Sequence, residues 1–263
     1  MALYRDEGVV LRTLRLGEAD RIVTFATPEH GKVRAVAKGV RRVKSRIGAR
    51  VEPMCHVTLL CWRGRDLDVV TGIEILDSFA TLRTDLDRLL EAMTMLEIVD
   101  QVAVEQQGMR EIFALLVGAL RTLEARPSAG VLGAFCFKLL ALEGVGPVVD
   151  RCARCDDGAP LVAFDAGEGG LLCPGCRRGQ AVGPRVVELL QLVLGGRLTT
   201  ALAISEEDPS AASELERLGI ATVEHHLERR LKARHQLDGR SLVRSGDAGA
   251  LPPSRSGTAK PGD

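Results

Sequence analysis

The sequence predicts an α+β chain in which a small N-terminal five-stranded β-barrel precedes an all-helical domain interrupted by a compact four-cysteine segment. Three observations predict it. The first 80 residues hold short apolar runs broken by turn residues, the apolar spacing switches to a helical period from Thr81, and two closely spaced cysteine pairs lie between helical stretches. With 263 residues, 46% apolar and 27% charged, the chain can bury more than one core.

The strands are expected at Glu7–Leu14, Arg21–Ala26, Lys32–Ala37, His56–Trp62 and Leu67–Leu76. Gly17, Pro28 to Gly31, the Gly39 to Pro53 loop and Gly64 separate them. Val23/Phe25 and Val57/Leu59/Cys61 alternate as strands with one inward face must. An OB-like or SH3-like barrel fits residues 1–80. The helical domain is expected over 81–150 and 181–238. Leu86, Leu89, Leu90, Met93, Leu96 and Val99 make one stripe, with Asp85 and Asp87 at its N-terminal end. A second helix covers Arg110–Leu123. In a third, Leu132, Phe135, Leu139 and Leu142 repeat until Gly144-Val145-Gly146-Pro147 breaks it. Pro184 opens a fourth that Gly195-Gly196 ends. The last helix is expected from about Ala221 to Leu237, and 239–263, rich in Gly, Pro and Ser, reads as a disordered tail.

Lys+Arg and Asp+Glu both number 35, so the net charge says nothing about partners. Its distribution does: residues 1–80 carry 14 basic and 10 acidic side chains, residues 81–150 carry 6 and 10. The uncharged runs fall short of the ~18 apolar residues that a spanning helix needs, and the N-terminus lacks a cationic-then-apolar leader, so a cytoplasmic location is expected. Seven cysteines, an odd number, argue against a disulfide framework.

The most specific motif is Cys152-x2-Cys155-x17-Cys173-x2-Cys176 within residues 151–180. Two-residue gaps aim each thiolate pair at one ion, and four thiolates complete the tetrahedral shell that Zn2+ prefers. Four protein ligands leave no open position, which makes this a single structural ion rather than a catalyst. The competing readings are two disulfides or a thioredoxin-like pair. Cys55, Cys61 and Cys136 read as small buried hydrophobes. The second signal is the run from Gly31 to Arg50, which holds Lys32, Arg34, Lys38, Arg41, Arg42, Lys44, Arg46 and Arg50 and no acidic residue. Such a run is a solvated loop or a phosphate-binding surface, and its place on a strand and the longest loop of a small barrel favours the surface. His225-His226 reads as surface or packing. No nucleotide-binding glycine loop, no H-E-x-x-H and no nucleophile elbow is present, so neither an enzyme nor a nucleotide cofactor is expected.

Taken in order, Gly17–Phe25, Gly31–Arg46, Glu52-Pro53, Phe137–Pro147, the two cysteine pairs and the Leu227–Leu237 stretch resemble the bacterial RecO family of recombination mediators, over about residues 4–240. The resemblance implies an N-terminal OB-fold and a helical domain with an inserted zinc module. It also implies sequence-independent binding of single- and double-stranded DNA, annealing of complementary strands, and work with RecR to load RecA where single-stranded-DNA-binding protein covers the strand. Nucleoid association follows. The implied DNA contacts are Lys32, Arg34, Lys38, Arg41, Arg42, Lys44 and Arg46, and the implied metal ligands are Cys152, Cys155, Cys173 and Cys176. The acidic tail of single-stranded-DNA-binding protein is expected near Arg229, Arg230 and Arg234. Met54 departs from the family, whose members often carry an aromatic there. The rival readings are a zinc-dependent nuclease or hydrolase, with Asp156-Asp157 beside the metal, and a zinc-ribbon module serving RNA or transcription.

Overall fold

The computed structural model describes residues 2–42, 45, 47–126, 130–158 and 160–233. Lys44, Arg46, Arg234 and the tail expected at 239–263 lie outside the described residues.

Five strands form a closed barrel: β1 (Leu3–Leu16), β2 (Asp20–Thr27), β3 (Gly31–Ala37), β4 (His56–Trp62) and β5 (Asp68–Asp77). The order around the barrel is β1-β2-β3-β5-β4, and β1 closes it because its first half pairs with β4 and its second half with β2. The contact of β3 with β5 is parallel and the others are antiparallel, an OB-like arrangement. β1 starts four residues earlier than the apolar pattern suggests. The charged run Arg5-Asp6-Glu7 conceals this start, and Asp6 is buried by pairing with His30 at 2.6 Å.

The barrel has two faces because side chains alternate along each strand. Val10, Val23, Phe25, Val33, Ala35, Val57, Leu59 and Cys61 fill the interior. Val9, Leu11 and Ala26 point outward, yet they are buried against helices and belong to the helical core. A bulge between Val10 and Arg12 turns both Leu11 and Arg12 toward the helices, Leu11 into their core and Arg12 onto Asp100.

After the αL residue Phe79 and a 3-10 turn, the bundle consists of α1 (Leu86–Val102), α2 (Arg110–Ala125), α3 (Val131–Leu142), α4 (Pro184–Leu194), α5 (Leu198–Glu207) and α6 (Pro209–His226). Asp85 caps α1 by accepting the Asp87 and Arg88 amides. Helix α3 is buried nearly all round, as a central helix must be, although Leu142, expected inward, is 42% exposed. Gly133 and Gly219 let α3 and α6 touch closely: a Cβ at Gly133 would stand 2.9 Å from the Glu216 amide nitrogen.

The C-terminal helix corrects the expectation of Ala221 to Leu237. It runs from Pro209 to His226, opened by the Asp208 cap on the Ala211 amide, and stops where Glu228 takes a positive φ of 50°. Its first turns bury Ala211 and Ala212 ahead of Leu215, and alanines leave a stripe that is faint in sequence; for the same reason α5, which buries Ala201 and Ser205 beside Leu202, had no strong signature.

Between α3 and α4, the cysteine segment carries a three-stranded sheet of β6 (Ala163–Asp165), β7 (Gly170–Leu172) and β8 (Gln180–Ala181). Phe164 and Leu171 leave it to join the helical core, where Phe164 meets Phe137 edge-on at 6.0 Å. Among the described residues no helix is long and apolar enough to cross a membrane.

Candidate nucleic-acid interface and metal centre

The metal-binding geometry is local. Cys152 and Cys155 flank a tight turn in which the Asp156 amide donates to the Cys152 carbonyl at 2.9 Å. Cys173 directly follows β7, and Cys176 closes the 3-10 turn after it. All four Sγ atoms lie within 4.8 Å of one another, and Cys155 and Cys173 are 3.7 Å apart. A tetrahedron built on ~2.3 Å metal–sulfur bonds has edges of about 3.8 Å, so this spacing fits an ion, whereas a disulfide needs about 2.0 Å. Backbone donation, led by the Cys173 amide, pulls the Cys152 thiol down to about 6, while the shared hydrogen bond to Cys155 pushes Cys176 up to about 12. Four thiolates so close need a cation between them, and the four cysteines can hold one. The surrounding core is only Ala163 and Leu172 beside the cysteines themselves. Cys55, Cys61 and Cys136 are buried elsewhere in the molecule.

The basic residues divide into two groups. Lys32 and Arg34 project outward from β3, whose inward positions are Val33, Ala35 and Ala37. Their partners belong to the helical side. The Lys32 ammonium donates to the Asp100 carbonyl and lies 3.4 Å from its carboxylate, while Arg34 is 3.9 Å from Glu105. Arg12 reaches the same Asp100 at 2.6 Å. The turn beside them is docked tightly, with the Lys32 amide donating to Val104 and the Met109 amide to Pro28. Gly31, at φ 66°, could not carry a Cβ there, since it would stand 2.1 Å from the Gln107 carbonyl oxygen.

Lys38, Arg41 and Arg42 form the second group, at the opposite end of β3, and all three are exposed. The loop is fixed by its backbone: the Arg41 amide donates to Ala19 and the Gly39 amide to the Asp20 carboxylate. The Arg41 guanidinium donates to the Gly17 carbonyl. No ion pair joins these three to a carboxylate among the described residues. Arg50 turns away to donate to the Ile73 carbonyl.

Of the aromatic side chains that could serve as stacking platforms in the barrel segment, Phe25 and Phe79 are fully buried. Tyr4 donates to Asp68, stacks on His30 at 4.4 Å and lies under Arg63. Trp62 is 42% exposed. Arg63 and Arg65, exposed in the short β4–β5 turn, escaped selection from sequence because two arginines between strands resemble any solvated turn.

On the helical side, Arg229 donates to Gln101 and Arg230 is exposed, beside a groove that also carries Glu97 and Asp100. A second groove between α2, α3 and α5 is lined by Leu115, Val131, Phe135, Leu198 and Leu202 with Lys138. His225 and His226 lie in the last turn of α6.

Comparison with known proteins sets this geometry beside named relatives. Residues 1–79 match the family described as Recombination protein O N terminal, and residues 83–235 match Recombination protein O C terminal. A protein of Frankia casuarinae called DNA repair protein RecO is 44% identical over 239 residues, which cover 89% of this chain and 97% of the relative.

Proposed function

Because the chain belongs to the RecO family across both its barrel and its helices, we propose that it is a recombination-repair mediator that binds DNA through phosphates and anneals complementary strands. The observation that carries the reading is the group Lys38, Arg41 and Arg42: three exposed cations on a backbone-fixed loop with no carboxylate paired to them. Cations held this way, with Lys44 and Arg46 in the same loop sequence, suit a chain of phosphates and are indifferent to base order. Lys32 and Arg34, spoken for by Asp100 and Glu105, hold the barrel against the helices and contribute less to DNA.

Annealing then needs no bond made or broken. Neutralising phosphates on two strands lowers the repulsion that keeps them apart, and pairing supplies the driving force. Neither a nucleotide nor a catalytic residue enters this scheme. Cys152, Cys155, Cys173 and Cys176 would hold one Zn2+, whose role is to stabilise a segment too small to fold on its own apolar residues. Protein partners suit the helical side. The resemblance implies RecR, RecA loading and the acidic tail of single-stranded-DNA-binding protein, and the apolar α2–α3–α5 groove with Lys138 is a better seat for that tail than the mixed-charge groove near Arg229.

The test is strand annealing with Lys38, Arg41 and Arg42 changed to alanine. The triple variant loses annealing, and its log affinity falls less steeply with log salt, by roughly 0.7 per removed phosphate contact on single strands. Lys32→Met is the counter-test and leaves that slope unchanged. Annealing that survives the triple change overturns the reading, and cleavage of labelled DNA with added magnesium or zinc would replace it with a nuclease.

A further inference from the structure

The pairing register of the barrel lines up one row of apolar side chains across all five strands. Leu14 pairs with Ile22, Ile22 with Val36, Val36 with Val69, Val69 with Trp62, and Trp62 with Leu3. Their neighbours along the strands, such as Val23, Cys61 and Val70, are buried inside the barrel, so alternation turns the row outward. None of the six is buried: Leu14 is 50% exposed, Leu3 47% and Trp62 42%. At ~4.8 Å between strands, the five steps make a belt of about 24 Å that begins and ends on β1 and so winds once round the barrel, with Trp62, Val69 and Val36 on three adjacent strands. The helices pack on other outward positions, Val9, Leu11 and Ala26; of the belt, Leu14 edges the groove beside α1, while Leu3 and Trp62 stay exposed. A partly exposed apolar row of this extent marks a binding surface.

The charges beside the belt decide what it binds. Positions two residues along a strand share a face. By that rule the belt is flanked by Arg5 on β1 and by Lys38 two residues after Val36, while Arg34, on the other side of Val36, is paired with Glu105. Arg12, also flanking, is held by Asp100. The only flanking carboxylate is Asp20, already engaged by the Gly39 amide. The belt thus joins apolar surface and one exposed indole to an excess of cations, which complements a polyanion with exposed flat apolar faces.

Resting on the DNA-binding reading above, we infer that the belt Leu3–Trp62–Val69–Val36–Ile22–Leu14 is a base platform selective for single-stranded DNA, with a base stacked on Trp62. Duplex DNA hides its base faces in its own stack and can engage only the cations. A single strand can engage both, its bases on the belt and its phosphates on Lys38, Arg41 and Arg42 at the belt's edge. The same difference gives annealing a direction. A base that pairs leaves Trp62, so the duplex product loses the belt contacts that its strands had.

Trp62 is the chain's one tryptophan, so its emission reports on the belt without any substitution. Titration of the full chain with a dT20 oligonucleotide quenches that emission, and a 20-base-pair duplex that also binds, by anisotropy, leaves it unchanged. Trp62→Ala weakens dT20 binding about tenfold, as the loss of one stacked base predicts, and weakens duplex binding less than twofold. Trp62→Phe recovers most of the loss. If dT20 binds with unchanged emission, or Trp62→Ala binds it as the parent does, the platform is wrong while the DNA-binding reading stands. If neither DNA binds, both fall. Loss of binding to a protein partner in Trp62→Ala with dT20 affinity intact makes the belt a protein-docking surface and overturns the inference.

Discussion

Glu91 on α1 is a charged residue in the wrong solvent. One of its carboxylate oxygens is buried without a hydrogen-bond partner. Burial first, and then Glu216, Asp87 and Asp85, push its carboxyl up to about 8. In the unfolded chain it ionises at about 4.3. Between those values the unfolded state holds fewer protons than the folded one, so this group makes stability fall as pH rises from about 4.5 to about 8. Glu91→Gln removes the dependence: its melting temperature exceeds the parent's by about 3 °C or more at pH 8 and matches it near pH 4.5, measured by thermal denaturation at both pH values. Sequence alone could not pick out this residue, because Glu91 sits among Asp85, Asp87 and Arg88 as any solvated helix residue would. The same blindness separated the basic residues incompletely. Lys32 and Lys38 stand six apart in one cationic run, and only the position of Asp100, 68 residues after Lys32, distinguishes a junction residue from an exposed one.

At the scale of elements, the cysteine segment was legible because metal-ligand spacing is a local property, carried by four side chains and two turns. What spacing could not convey is how the segment is attached. Phe164 and Leu171 reach from its small sheet into the helical core, and Gly170 lies so close to Val148 that a Cβ would stand 2.2 Å from its carbonyl oxygen. On the proposed zinc and DNA-binding roles, a strong chelator should therefore release amide protection first in β6 and β7, followed by hydrogen exchange, while barrel strands stay protected and DNA affinity changes less than about twofold. Equal loss of protection throughout would show that the metal supports the whole fold. The strands were legible from alternation, His56–Trp62 to the residue, whereas α5 and the start of α6 were not: alanine and serine positions bury as well as leucine but leave no stripe.

At the scale of the molecule, the barrel and the bundle share one apolar core. Val9, Leu11, Ala26 and Met54 from the barrel side pack with Met95, Phe113 and Leu116, and the Gly31 turn is clamped on the loop before α2. Gly31→Ala forces a methyl group into the Gln107 carbonyl. That substitution should split a single thermal transition into two and lower the first by several degrees, as calorimetry would record; one unshifted transition would mean that the clamp contributes little. A shared core of this kind depends on residues far apart in sequence, and for that reason the two halves could be read as separate units but not as joined ones. With no slack between them, the compass bearing of a strand lying on the barrel is already set relative to anything seated on the helices. On the function proposed above, a protein captured there would be delivered to DNA at a fixed angle, as a tool is held in a jig.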